Sequence, residues 1–330
     1  MFTFETLFFI LLMIMTALSL KKEEGSLLSV SNTLHLRGIF ALCIMTFHIS
    51  ATTDLFYPVF AYLGLTVVGA FFFLSGYGLM KGYLTKKDYH KGFLKKRLFS
   101  LLFPYLFMNL VYWTYYNLNE EYHAFHELFT IYFTNRNLVM YSWFIKDIII
   151  HYLEFFLLMI LFKEKKERMY QCSILLFLFD FIITLLGFSN PYLINGAFAA
   201  GMIYAYKEET FVPLLKKHHK PMIMISVILA FAFRTPYLHN SRFFLIEKLI
   251  LIILILSVLT AYKIENKVFA FAGKISLCIY MCHGLGKAIV RRFYGGPLFI
   301  QDLAIYIITL FLSVFFDRLF GFFNKKLNKK

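Results

Sequence analysis

The chain has 330 residues, of which 60% are apolar, 42 are Phe and only 16% are charged. A soluble fold of this length could not cover so much apolar surface with so few polar groups, so an ordinary globular enzyme is excluded. The net charge of +15 does not indicate nucleic acid, because the basic residues concentrate in the short polar breaks between apolar runs.

Those runs recur from end to end at about 20 residues, the length needed to cross the hydrocarbon core. The pattern predicts an all-α polytopic membrane protein with about eleven transmembrane helices: 3–20, 34–53, 58–80, 98–117, 142–162, 170–188, 191–206, 221–236, 243–262, 274–290 and 298–318. The first, "MFTFETLFFILLMIMTALSLKK", carries its lysines after the apolar stretch. A cleaved signal peptide has the reverse order, so a retained span is expected. The seventh is short and holds Gly196 and Gly201, which points to irregularity or close packing. Residues 118–141 predict an outer loop with an interfacial or re-entrant element. No polar block of domain size, internal repeat or linker interrupts the chain, so 1–330 is expected to be a single membrane domain.

Orientation follows from the Lys/Arg bias. Of the 34 basic residues, 24 fall on one set of alternate connections (21–33, 81–97, 163–169, 207–220, 263–274 and the tail) and four on the other. This places the N-terminus outside and the C-terminus in the cytoplasm of a cell-membrane protein, with the basic loops meeting anionic lipid headgroups. The four cysteines, Cys43, Cys172, Cys278 and Cys282, all lie in spans and read as small hydrophobes. His and carboxylates are scattered without ligand spacing, so no metal site is expected. A Gly-rich nucleotide loop is missing too.

Chemistry enters at "LRGIFALCIMTFHIS", Leu36 to Ser50. Arg37 and His48 stand eleven residues apart, which on a helix is 20° beyond three full turns and about 16 Å of rise. Both therefore line one stripe at different depths. Ionisable side chains inside a membrane are costly and face a bundle interior or a wet cavity. The plainer alternative is that Arg37 snorkels to the inner headgroups and His48 makes a structural hydrogen bond.

Four further segments follow in order: "GAFFFLSGYGL" (69–79), "FLKKRLFSLLFPY" (93–105), "SWFIKDIIIHY" (142–152) and "GKISLCIYMCHG" (273–284). With the arginine–ten residues–histidine segment, this succession resembles the acyltransferase-3 family of integral membrane O-acyltransferases. The later segments are similar to its Phe-rich stretch ending in Ser-Gly-aromatic, its basic span entry followed by Pro-aromatic, its Trp-led span, and its late Gly-x-x-Ser…Tyr-x-x-His signature. Three features depart from the family pattern. The stretch "NTLHLRG" lacks the Asp that many members carry shortly before the arginine, a span lies ahead of the motif helix so that a ten-helix family core gains an extra N-terminal span, and Asp147 sits one position from the usual mid-span Glu.

The resemblance implies an enzyme that moves an acyl group, commonly acetyl, from cytoplasmic acyl-CoA (acetyl-CoA) to a hydroxyl of a surface polysaccharide or its lipid-linked precursor. Acyl-CoA is a donor substrate there, and no tightly bound cofactor is implied. A sugar hydroxyl is a poor nucleophile, and imidazole is suited to take its proton. His48 is thus the expected general base, with an acyl-imidazole as the less favoured variant. Arg37 would hold CoA phosphate in paired contacts, with Arg97 as a second phosphate contact. Ser75, Trp143, Tyr152, Tyr280 and His283 are candidates for substrate contact, and Ser75, Tyr280 and Lys146 for oxyanion donors. Each has a structural alternative: an interfacial anchor for Trp143, a packing or capping role for His283, a positive-inside marker for Arg97. Glu154, Asp180 and His151 read as structural partners within the membrane. A transporter or flippase of a lipid-linked sugar is the competing class, but it predicts a two-fold repeat that the chain lacks. A non-catalytic scaffold would leave the Arg37–His48 stripe unexplained.

Overall fold

A computed structural model of the protein describes residues 3–22, 27–50, 56–119, 121–130, 138–163, 165–187, 196–233 and 241–327. The helices, in chain order, are α1 (Phe4–Leu18), α2 (Val30–Ile49), α3 (Tyr57–Thr85), α4 (Phe93–Leu118), the short α5 (Glu127–Thr130), α6 (Trp143–Phe162), α7 (Lys166–Leu185), α8 (Gly196–Tyr206), α9 (Glu208–Ala232), α10 (Phe244–Leu259), α11 (Lys267–Lys274), α12 (Ser276–Phe293) and α13 (Leu298–Leu327). The fold is all-α and polytopic. By length and composition α2, α3, α4, α7 and α13 can each cross a membrane, and the pair α11–α12, bent by 78°, would make a sixth span. The other apolar stretches also form helices in their described parts. However, α1, α8 and α10 have only 15, 11 and 16 residues, and α6 carries Lys146, Asp147 and Glu154.

Two stretches expected as loops are helical. Residues 208–220 form the first half of α9, which kinks at His218, between Pro213 and Pro221. A proline removes a backbone donor and crowds the preceding turn, which explains a bend there. Residues 267–274 form α11. The stretch 118–141, expected as an outer loop with an interfacial or re-entrant element, lies partly outside the described residues; its described part holds the four-residue α5.

The chain divides into two compact units, residues 1–90 with 157–274 and residues 91–156 with 275–330. In the first unit, helices meet backbone to backbone. A Cβ placed on Gly76 of α3 would lie 2.0 Å from the Phe198 carbonyl oxygen of α8, and one on Gly201 of α8 would lie 2.1 Å from that of Phe73. The α2–α11 crossing repeats the device, with Gly38 against Phe269 (2.1 Å) and Gly273 against Leu34 (1.9 Å). Lipid tails are as apolar as side chains, so helix association in a bilayer relies on such close packing rather than on hydrophobic exclusion. This accounts for the glycines of the short seventh span.

Side chains and one small sheet tie the connections of this unit together. Leu20–Lys22 pairs antiparallel with Tyr262–Ile264. Asn32 reinforces the pair by accepting from the Ile264 N–H at 3.2 Å and donating to the Leu27 carbonyl at 3.1 Å. Lys21 lies 2.7 Å from Glu265 and holds that carboxyl below its ordinary range, with Lys263 assisting. At the far end of α3, the Tyr83 hydroxyl donates to the Lys163 carbonyl, and Lys166 donates to that of Leu84 at 2.9 Å. Lys81 pairs with Glu208 at 2.5 Å, and the Tyr206 hydroxyl donates to Glu167. Every connection joined by these bonds belongs to the Lys/Arg-rich set.

The second unit is aromatic. Phe103 and Phe107 of α4 interleave edge-to-face with Phe316 and Phe320 of α13 at centroid distances of 5.6 to 6.1 Å. Gly286 of α12 faces Thr309 of α13, where a Cβ would come within 2.4 Å of the hydroxyl oxygen.

Candidate functional site

Helix α2 begins where Ser29 accepts a hydrogen bond from the Asn32 N–H at 3.1 Å, which satisfies a donor that the first turn would otherwise leave bare. It then runs without a break to Ile49, so Arg37 and His48 lie on one stripe of one helix. Both are half-buried. The Arg37 Nε–H donates to the Thr33 carbonyl at 3.3 Å, so the side chain runs back toward the N-terminal end of α2, the direction helical side chains favour. The next residue, Gly38, lets α11 cross at this turn, so the depth of Arg37 is set by a backbone contact. The arginine–glycine pair of the first motif and Gly273 of the last motif therefore meet physically.

His48 sits in the final turn with its ring 4.8 Å from that of Phe47. Phe47 occupies a notch in α3: a Cβ on Gly64 would lie 2.2 Å from its ring. Phe47 also approaches Tyr57 at 6.3 Å. The end of α2 that carries the imidazole is thus pinned by an aromatic ring seated on a glycine.

Ser75, half-buried on α3, directly precedes the Gly76 crossing. The same helix exposes a feature that sequence reading missed. Gly69, the first residue of the Phe-rich motif, makes room for Lys248 of α10, whose Cγ would be 2.5 Å from a Cβ there. Lys248 and its neighbour Glu247 are 3% and 0% exposed. Two adjacent ionisable residues in the otherwise apolar "FLIEKLILIILILSVL" were the available signal.

The second unit gathers Tyr280 and His283 with a residue that was not anticipated. The Tyr280 hydroxyl donates to the Tyr141 carbonyl, and the Tyr141 ring stacks on His283 at 5.4 Å with an interplanar angle of 13°. Tyr141 has φ +61°, a left-handed conformation that costs a non-glycine residue energy and persists only where its surroundings enforce it. His283 is fully buried, with Nδ1 3.3 Å from the Ile279 carbonyl. From α4, the Tyr105 hydroxyl lies 3.3 Å from Ser142 Oγ, and the Tyr112 hydroxyl donates to the Met281 carbonyl at 3.0 Å. Tyr105, Asn109, Tyr112 and Tyr116 fall at i, i+4, i+7 and i+11, one buried polar stripe on a helix.

The remaining candidates are spread out. Trp143 opens α6 and is half-buried, as is Tyr152 further along it. Arg97 is half-buried in the second turn of α4, beside exposed Lys95 and Lys96. His151 pairs with Glu154 at 3.1 Å, a structural contact of the kind expected. His123 of the loop after α4 pairs with Glu127 at 2.9 Å. Arg37, His48 and Ser75 therefore belong to the first unit, and Arg97, Trp143, Tyr152, Tyr280 and His283 to the second.

A family model described as an acyltransferase domain, that of the acyltransferase-3 family, matches residues 35–318. The chain belongs to the acyltransferase-3 family. The match opens two residues before Arg37 and spans all five motifs, while α1 lies ahead of it. The protein is accordingly a multi-pass membrane acyltransferase, and the enzyme reading displaces the transporter one. No curated protein and no solved structure matches the chain significantly.

Proposed function

We propose that this acyltransferase transfers an acyl group, acetyl in the first instance, from cytoplasmic acyl-CoA to a hydroxyl of a surface polysaccharide or its lipid-linked precursor. The observation that carries the proposal is the unbroken helix α2, which sets a half-buried cation and a half-buried imidazole about 16 Å apart along one stripe. The pantetheine arm of CoA spans that length. Arg37, directed toward the N-terminal end of α2, takes the phosphates near the inner face, and Arg97 gives a second contact. His48 takes the proton of the acceptor hydroxyl as its oxygen attacks the thioester carbonyl. The tetrahedral intermediate collapses with loss of CoA thiolate, and the imidazolium returns the proton to the sulfur. Ser75, Trp143, Tyr152, Tyr280 and His283 serve acceptor and oxyanion, in a single catalytic domain that needs no bound cofactor or metal.

This scheme sets the N-terminus outside and the C-terminus in the cytoplasm of the cell membrane. The bias of Lys/Arg toward one set of connections supports it, as do the bonds that join several of those connections. Deletion of the gene, followed by NMR of the surface polysaccharide, tests the acceptor class. Loss of O-acyl signals that a plasmid copy restores is the expected result; unchanged O-acylation would refute it.

A further inference from the structure

One cavity of the first unit is remote from the Arg37–His48 helix in sequence and chemistry. It holds about 720 Å³ between the segment 83–90, which ends α3 and leads away from it, and Met159, Ile160, Lys163 and Lys166 at the end of α6 and the start of α7. Among the described residues, four lysines line it, Lys86, Lys87, Lys163 and Lys166, together with His90 and the carboxylate of Asp88. Lys86, Lys87, Lys163 and Lys166 are exposed, and the Lys166 ammonium already gives one of its donors to the Leu84 carbonyl.

The cavity is built rather than incidental. The bonds from Tyr83 to Lys163 and from Lys166 to Leu84 hold its two walls together. Tyr89 folds back over α3, where a Cβ on Gly82 would lie 2.6 Å from its ring. Asp88 and Lys163 both adopt left-handed backbone conformations, φ +50° and +47°, which turn the chain sharply around the opening. Such conformations persist where the surroundings enforce them.

Its third wall is apolar, formed by Ile160 of α6 over the buried Met159. Ile160 is 50% exposed, and Leu157 and Leu161 beside it are 64% and 70% exposed, a surface suited only to lipid chains. Clustered lysines attract phosphate, whereas an apolar wall continuous with a lipid-facing helix has no use for a soluble nucleotide. We infer that this cavity binds an anionic phospholipid, its phosphate among Lys86, Lys87, Lys163 and Lys166 and an acyl chain along Ile160 of α6. The site shares no residue with the proposed transfer chemistry and stands or falls separately from it.

Each lysine near an anionic membrane surface contributes a factor of about five in affinity. Purified protein in uncharged detergent, titrated with a fluorescent short-chain phosphatidylglycerol and followed by anisotropy, should bind saturably. Phosphatidylcholine with the same chains should bind far more weakly. Combined Lys86→Gln, Lys87→Gln and Lys163→Gln should weaken phosphatidylglycerol by roughly a hundredfold. Because these residues are exposed, the variant should keep its melting temperature. Lys217→Gln with Lys220→Gln, on exposed positions of α9 outside the cavity, should leave binding unchanged. An equal loss in that control would reduce the effect to general surface charge and overturn the site. Glycerol phosphate competing as well as the intact lipid would make it a site for soluble anions, and displacement by CoA at concentrations that support transfer would make it a donor site. Either result would overturn the lipid assignment.

Discussion

The two units solve one problem in opposite ways. In the first, helices are drawn together by deleting side chains: Gly38 with Gly273 and Gly76 with Gly201 put the backbones of α2 and α11, and of α3 and α8, in direct contact. In the second, bulky residues fill the space and hydroxyls do the joining, with Tyr105, Tyr112 and Tyr280 reaching across to Ser142, Met281 and Tyr141. Bilayers reward both tight packing and interhelical hydrogen bonds, but the consequences differ. A glycine crossing fixes the depth of whatever stands next to it, and Arg37 stands next to one. A tyrosine cluster leaves a polar, aromatic interior that can meet a polar ligand.

Breaking the first device should have the largest effect. Gly201→Ala and Gly273→Ala each put a methyl group about 2 Å from a carbonyl oxygen, so two backbones must part. Overpacking of this kind typically costs about 1–3 kcal/mol and more when backbone cannot move. Both variants should show a clear fall in melting temperature in detergent. Gly76→Ala combined with Gly201→Ala should cost less than the sum, since one separation relieves both clashes. Gly78→Ala, with nothing within 4 Å of the added group, should be neutral or stabilising, because alanine favours helix.

A change that leaves the packing intact separates binding from scaffold. Arg37→Ala should weaken acyl-CoA binding by about tenfold or more, the range for a hydrogen bond to a charged group, with little change in melting temperature. Arg37→Lys should recover only part of it, because lysine lacks the paired donors. Donor binding like that of the wild type, by calorimetry, would return Arg37 to the role of a snorkelling anchor.

In the tyrosine unit the expected losses are smaller. Tyr112→Phe keeps the ring and removes the bond to Met281, at a cost of about 1 kcal/mol. A loss as large as that of Gly201→Ala would mean that hydroxyls carry as much of the fold as backbone contacts do. Smallest of all is Lys81→Gln. Its partner Glu208 also accepts from Tyr77 at 3.0 Å, and the lysine side chain is 45% exposed, so less than about 1 kcal/mol should be lost.

Much of this contrast was visible in the chain because it depends on local pattern. Apolar runs of the right length gave the helices, and the Arg37–His48 spacing gave the stripe directly, since both sit on one helix. Other features depend on partners distant in sequence. The strand pairing of Leu20–Lys22 with Tyr262–Ile264 was hidden because lysines in both segments read as topology markers. The glycine of the late Gly-x-x-Ser motif shows its packing role only with Leu34 against it. The α4 stripe of Tyr105, Asn109, Tyr112 and Tyr116 had legible spacing, but 22 tyrosines and 42 phenylalanines in the chain mask any single aromatic series. Tyr141 carried no signal, because its left-handed backbone is imposed by tertiary contacts.

The catalytic role of His48 is tested most directly by His48→Asn, which keeps a hydrogen-bonding group near the same place but cannot take a proton at neutral pH. Purified protein, assayed for transfer from radiolabelled acetyl-CoA to acceptor, should lose activity by a factor of about 10²–10⁴ while donor affinity and melting temperature stay close to wild type. A well-folded His48→Asn protein with near-normal transfer would contradict the account and remove His48 as the base.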